Sequence, residues 1–185
     1  MNALLSLHKA IVGQIEQIDW LLPTLARIVF AATLLMYFWV SALTKLGDGF
    51  IGLFIPSDGA YAQVFPKAFE AAGYNIDALG TYHWAVVVVG TWTEFVLPAF
   101  IVLGFLTRLS AVGMIVFVTV QTMTDLYSHG SMSDPETLGA WFDRFPNSVI
   151  LDQRALWIML LLILVFKGAG PLSLDAALHR GVAAR

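Results

Sequence analysis

The sequence predicts an all-α protein, a transmembrane four-helix bundle with interfacial amphipathic helices, and three observations carry that reading. Of the 185 residues, 58% are hydrophobic, and the mean hydropathy is +0.77. Charged residues make up only 12%, about half the usual share of a soluble domain. Four apolar segments are each long enough to cross about 30 Å of hydrocarbon at about 1.5 Å per residue. The length leaves room for one compact bundle. With no cysteine, the chain has no disulfide, thiolate metal site or cysteine nucleophile, so redox chemistry must belong to a bound cofactor or a partner. A net charge of −3 argues against nucleic acid, which calls for a basic patch.

Residues 1–23 form an amphipathic segment, with Leu4, Leu7, Ile11, Ile15 and Ile18 at helical spacing and Lys9, Gln14, Glu16 and Gln17 elsewhere. It is expected to lie along the cytoplasmic membrane face until Pro23 redirects the chain. The bundle domain occupies 24–175, with a cytoplasmic tail over 176–185. Its spans are expected at 24–43, 83–103, 109–127 and 154–166. The first contains a stretch that resembles a signal-peptide core followed by Val40-Ser41-Ala42. The region before it is long and carries Glu16 and Asp19 beside Lys9, so the helix is read as retained. The fourth crosses only if residues 148–151 extend it outward and Lys167 snorkels.

Two long connections, 44–81 and 128–153, link the spans on one side and hold too many aromatic residues to be disordered. Ser133-Asp134-Pro135-Glu136 reads as a helix start, and Leu138, Trp141, Phe142 and Phe145 as the apolar stripe of an interfacial helix. Residues 50–55 with Tyr61, Phe65 and Phe69 are expected to do the same in the first loop, as headgroup anchors or as a ligand lid. Gly104 ends the second span before a short turn to Arg108. Gly168-Ala169-Gly170-Pro171 ends the fourth, with Ser173 or Asp175 free to cap the segment beyond it.

The most informative residue is Glu94, near the middle of the second span. A carboxylate at that depth costs a few kcal/mol or more unless it is paired, neutral or wetted. By helical rise it lies about 14 Å from the inner edge, Gln121 about 18 Å and Arg27 about 5 Å. Gln121 is then the better hydrogen-bond partner and Arg27 the better charge partner, while Lys45 falls too near the outer edge. Gln121, Asp125 and His129 recur at i, i+4 and i+8, hence on one helix face. With Glu94 they form either a polar seam between helices two and three or a chain of protonatable groups of the kind a quinol site or proton path needs. Tyr37, Trp39, Trp92 and Trp157 are aromatic candidates to line such a site, Trp92 foremost. No metal site is expected. The residues with ligand chemistry near the outer surface are His129, Asp125, Met132 and His83. Nucleophilic catalysis has no support: no serine sits in a recognisable elbow, and the four histidines are split between the two faces.

Three segments in order, Glu94 to Ala111, Arg27 with Thr44-Lys45-Leu46, and Leu156-Trp157 running to Gly168-Ala-Gly-Pro-Leu-Ser-Leu-Asp175 with Leu178, resemble the signature of the DoxX family of small four-helix membrane proteins. The long outer loops depart from its compact members. The resemblance implies a multi-pass protein of the bacterial inner membrane tied to redox, sulfur or metal-stress functions. Its expected role is that of a quinone-linked or redox-associated subunit working with a protein partner or as a homo-oligomer. The ligand-binding residues would be Glu94, Gln121, Asp125, Arg27 and Trp92, and the cofactor a quinone. The alternative is a non-enzymatic scaffold, or a small-molecule or metal carrier, that binds a soluble protein through acidic outer loops. Whether the chain is an enzyme is left open.

Six lysines and arginines, Lys9, Arg27, Arg108, Lys167, Arg180 and Arg185, fall on the side of the termini, against Lys45, Lys67, Arg144 and Arg154 on the side of the long loops. The excess of positive charge places the termini in the cytoplasm. Cysteines introduced at Asp58 and Asn147 are therefore expected to react with an impermeant thiol reagent from the periplasm, while one at Ala184 does not. The reverse pattern would invert the topology.

Overall fold

The computed structural model describes residues 2–183, so Arg185 and the labelling position Ala184 lie outside the described residues. Helix α1 (Asn2–Gln17) precedes the first span, α2 (Leu21–Leu43). The first long loop contains α3 (Asp58–Val64) and α4 (Pro66–Ala71), and it leads into α5 (Thr81–Leu103). A three-residue turn joins α5 to α6 (Thr107–Ser128). The second long loop contains α7 (Pro135–Leu138), and beyond it come α8 (Val149–Lys167) and α9 (Leu174–Ala183). The four spans α2, α5, α6 and α8 are long and apolar enough to cross a membrane. Among the described residues there is no strand, only an isolated bridge between Leu46 and Pro56. The end of the bundle carrying the long loops is the outer end, and the opposite one the inner end.

Each span packs on two neighbours, giving the cyclic order α2, α5, α6, α8. Phe30, Leu34 and Phe38 of α2 meet Ile101 of α5, Met114 and Val118 of α6, and Leu161 and Leu164 of α8 in one buried core. Phe38 sits edge-on to Phe117 and Trp157, and Tyr37 lies against Trp157 with ring centroids 5.1 Å apart. In hydrocarbon, such side-chain packing and polar ties between spans hold helices together, because lipid is as apolar as leucine.

Several boundaries differ from expectation for identifiable reasons. The chain turns before α2, where Leu21 N–H donates to Ile18 at 2.8 Å, and Pro23 lies in the first turn of α2, where a missing N–H costs nothing. The fourth span reaches membrane length because a π-turn, Val149–Gln153, extends it outward. Ser148 caps that turn: its Oγ accepts from Asp152 N–H at 3.3 Å, and its own N–H donates to the Asp152 carboxylate at 2.9 Å. Lys167 pairs with Asp19 at 2.7 Å, both side chains exposed.

The interfacial helix expected through Phe145 stops at Leu138. Asp134 caps α7 in agreement with the sequence pattern, but Gly139 takes φ 75° and turns the chain away. Trp141 then donates to the Leu151 carbonyl at 2.8 Å, and Phe142 is fully exposed. In the first loop, Tyr61 and Phe69 do not anchor at headgroups. They are buried with Ala60 against Val87 of α5 in a small core of their own.

The inner end is organised by two side chains. Arg27 donates to the carbonyls of Ile101 at 3.0 Å and Val102 at 2.6 Å, and to those of Ala169 at 3.0 Å and Leu172 at 2.5 Å. The last carbonyls of α5 have no intrahelical partner and sit at the negative end of the helix dipole, so a guanidinium suits them. Gly104 closes α5 at φ 68°, and a Cβ there would come within 2.8 Å of the Arg27 guanidinium carbon. Asp175 does not cap α9, a task that falls to Ser173, whose Oγ accepts from Ala176 N–H at 3.1 Å. It reaches across to α6 instead and accepts from Leu106 N–H at 2.8 Å and Thr107 N–H at 2.9 Å, steadying Leu106 in a left-handed conformation at φ 45°.

Partial burial acts to raise the Asp175 pKa, but the hydrogen bonds from Thr107 and Leu106 outweigh it and hold the carboxyl below its ordinary value. A carboxylate with a lowered folded-state pKa contributes stability that is complete above the unfolded value, about 3.9, and is lost as pH falls through the folded value. Asp175→Ala is expected to cost about 1 kcal/mol at neutral pH. In detergent, the gap in unfolding midpoint between wild type and variant should close as pH falls below that unfolded value. A gap that persists in acid would show that Asp175 does not act through its charge.

Candidate functional site

Glu94 lies on the inward face of α5 and is 3% exposed. Its partner is Lys45, itself 6% exposed, whose Nζ lies 2.8 Å from Oε2 and 3.1 Å from Oε1. Ser41, one turn before Lys45, donates its hydroxyl to Glu94 Oε1 at 3.2 Å and accepts from Lys45 Nζ at 2.7 Å.

The expected partners, Gln121 and Arg27, are both engaged elsewhere. The Gln121 amide donates to the Tyr37 hydroxyl at 3.1 Å, and Arg27 holds the carbonyls of the inner end. Side-chain direction explains the difference. Side chains on a helix lean toward its N-terminus, and α2 runs from the inner to the outer end. Arg27 therefore leans away from Glu94, whereas Lys45, just past the outer end of α2, leans back toward it on a long stem. Reckoning by helical rise alone omits that bias.

A second ion pair crosses from α8 to α6. Arg154, 3% exposed, donates to Asp125 Oδ2 at 2.5 Å and to the Thr122 hydroxyl at 3.0 Å. Asp125 is therefore more than the wet end of a stripe: it carries a tie between spans. His129 caps the π-turn Thr124–Ser128 that ends α6, and its Nε2 lies 2.8 Å from the Gln63 carbonyl in the first outer loop. Lys67 fastens the same loop by donating to the Tyr127 carbonyl at 2.5 Å.

These groups surround one cavity of about 730 Å³ between α5 and α6. Ser41, Lys45 and Glu94 form its buried base. Gln121, Thr124, Asp125 and His129 line the α6 side toward the outer end, and Gln63 and Val64 of the loop close the top. The remaining wall is apolar, and three of its residues, Val89, Val116 and Val120, are exposed on helices long enough to span a membrane. The cavity thus has a polar base, a polar outer end and an apolar mouth facing the hydrocarbon.

Of the residues picked from sequence, Glu94, Gln121, Asp125 and His129 line this cavity, and Arg27 and Trp92 do not. The Trp92 indole donates to the Leu53 carbonyl at 3.0 Å and stacks on Phe54, fastening the first loop to the outside of α5. Tyr37 and Trp157 pack against Phe38 of the core, and Trp39 donates to the Phe95 carbonyl at 3.1 Å. The metal candidates are not gathered: His83 packs edge-on against Phe65, Met132 is exposed, and Asp125 is taken by Arg154. Among the described residues no three or more histidine, cysteine or acidic side chains are grouped so that they could hold a metal ion. Sequence reasoning sets Lys45 aside on depth and misses Ser41 and Gln63. Thr44-Lys45 at a helix end is a visible signal for the first, and nothing in the sequence marks the other two.

Removing one member of a buried pair leaves the other charge uncompensated. Lys45→Met or Glu94→Leu alone is expected to cost about 3–5 kcal/mol, and the double substitution to recover most of that loss. A double-mutant cycle on unfolding free energy in detergent measures the coupling, and strictly additive losses would show that the two groups do not act as a pair.

No curated protein and no solved structure matches the chain. The sequence pattern of one family does match, over residues 22–125, which takes in all but the ends of the first three spans and includes the buried pair. With more than half of its length accounted for in this way, the chain belongs to the DoxX family.

Proposed function

We propose that this DoxX protein is a redox-associated subunit of the bacterial inner membrane that binds a quinone between α5 and α6 and works with a protein partner, its termini in the cytoplasm. The cavity carries the reading. Its volume of about 730 Å³ falls within the usual range of about 300–1,000 Å³ for small-molecule sites. A lipophilic tail would leave through the mouth framed by Val89, Val116 and Val120, and the polar head would lie among Glu94, Gln121, Asp125 and His129. A quinone supplies two-electron chemistry coupled to protons. On the protein side, Glu94 holds charge at the base while Asp125 and His129 stand where the cavity meets the outer surface and water.

A second reading, a scaffold that recruits a soluble protein through its outer loops, draws on one observation. In loop 128–153 Trp141, Phe142 and Phe145 are all exposed, Phe142 completely so, amid acidic residues.

Calorimetric titration of the purified protein in mild detergent with decylubiquinone is expected to saturate. A Cβ at Gly90, on the cavity wall, meets nothing within 4 Å, so a side chain has room to start there and Gly90→Leu is expected to fill part of the cavity. It should weaken binding by at least about tenfold while leaving the unfolding midpoint unchanged or raised. No saturable binding, together with specific capture of a soluble protein that depends on Trp141 and Phe142, would favour the scaffold.

A further inference from the structure

Resting on the reading of the cavity as a quinone site, we infer that it selects the reduced, hydroxyl-bearing form, the quinol, over the quinone. The ground for this is the inventory of hydrogen bonds around the cavity. A quinone head offers carbonyl oxygens, which only accept, whereas a quinol head offers two hydroxyls, which also donate.

At the buried base the donors are spent. The three N–H bonds of Lys45 face four acceptors: the Ser41 carbonyl at 3.1 Å, the Ser41 hydroxyl at 2.7 Å, and Glu94 Oε1 and Oε2 at 3.1 and 2.8 Å. The Ser41 hydroxyl proton goes to Glu94, and Thr91 and Thr93 donate to the carbonyls of Val87 and Val89, both at 2.8 Å. His129 is fixed by its neighbour: a carbonyl cannot donate, so the Nε2 facing the Gln63 carbonyl carries the proton. In the neutral ring Nδ1 is then an acceptor.

Acceptors remain in excess. An ionised carboxylate has about four lone-pair positions. Glu94 fills three of them, from Ser41 and twice from Lys45, and Asp125 receives Arg154 on Oδ2, with no partner on Oδ1 among the described residues. The uncommitted donors on the wall are neutral: the Thr124 hydroxyl and the second amide N–H of Gln63 and of Gln121. A hydroxyl donating to a carboxylate makes a charge-assisted bond, roughly twice as strong as the neutral bonds open to a carbonyl. The balance therefore favours a head that donates.

The test compares decylubiquinol, kept reduced under argon, with decylubiquinone by calorimetric titration of the full-length protein in the same detergent. The quinol is expected to bind at least about tenfold tighter, the equivalent of one charge-assisted hydrogen bond. By linkage, each tenfold preference raises the midpoint potential of the bound two-electron couple by about 30 mV, which a redox titration with protein in excess reads independently. The double variant Lys45→Met, Glu94→Gln replaces the acceptor-only base with an amide that can donate, and it should shrink or reverse the ratio. Equal affinity, or tighter binding of the quinone by wild type, would overturn the selection while leaving the quinone site standing. Binding of neither form would remove both. The wild-type comparison decides the matter even if the double variant fails to fold.

Discussion

The buried pair of Lys45 and Glu94 is the contact on which the outer half of the molecule depends. A carboxylate in the second span would be costly alone, and so would an ammonium drawn below the outer surface. Each makes the other tolerable, and Ser41 fills part of what remains of their hydrogen-bonding capacity. Position matters as much as charge. Lys45 is the hinge between α2 and the first outer loop: its carbonyl accepts from Ser57 N–H at 3.0 Å, and the next residue, Leu46, bridges to Pro56. Fixing its ammonium on α5 thus fixes where the loop begins. The loop then folds into a strict shape, since a Cβ on Gly47 or Gly52 would come within about 2 Å of a backbone oxygen across the loop.

The polar contacts divide the bundle into two ends with different duties. At the inner end, Arg27 and Asp175 satisfy the backbone groups that helix ends leave open, and both are consumed by that task. Neither is left over for chemistry. At the outer end the ion pairs are between side chains, Lys45 with Glu94 and Arg154 with Asp125, and they border a space that packing does not fill. The closed core of Phe30, Phe38, Met114 and Leu161 and the cavity share a wall, since Leu97 and Phe117 pack against the one and line the other.

Legibility in the sequence depends on which signals are local. The four spans are legible because hydropathy accumulates over about twenty residues and is insensitive to partners. Glu94, Gln121 and Asp125 are legible because a polar group inside such a run is expensive wherever it points. Lys45 is passed over as a partner because it stands beyond the apolar run, where charge is ordinary; only the backward lean of a side chain on an outward-running helix makes it available. Residue type alone makes Trp92 and Arg27 look ligand-facing, yet each is used by backbone carbonyls of a neighbouring segment. The stripe from Leu138 to Phe145 fails for a local reason, since the helical spacing is genuine but Gly139 adopts a conformation that no helix continues through. The walls contributed by Ser41 and Gln63 depend on tertiary contacts with no sequence pattern of their own.

Three of the four spanning helices contain a wide turn: Ala31–Leu35 in α2, Thr124–Ser128 in α6 and Val149–Gln153 in α8. Each holds one residue more than an α-helical turn would. The chain length between anchor points is thereby a functional quantity in its own right. Were all five residues of Ala31–Leu35 wound as regular α-helix instead, everything beyond them would swing through about 100°. Phe38 would leave the core, and Ser41 and Lys45 would face lipid instead of Glu94, although every residue that makes those contacts would still be present. In this protein the azimuth of α2, set by one surplus residue, is as much a determinant of the site as the identity of the groups that compose it.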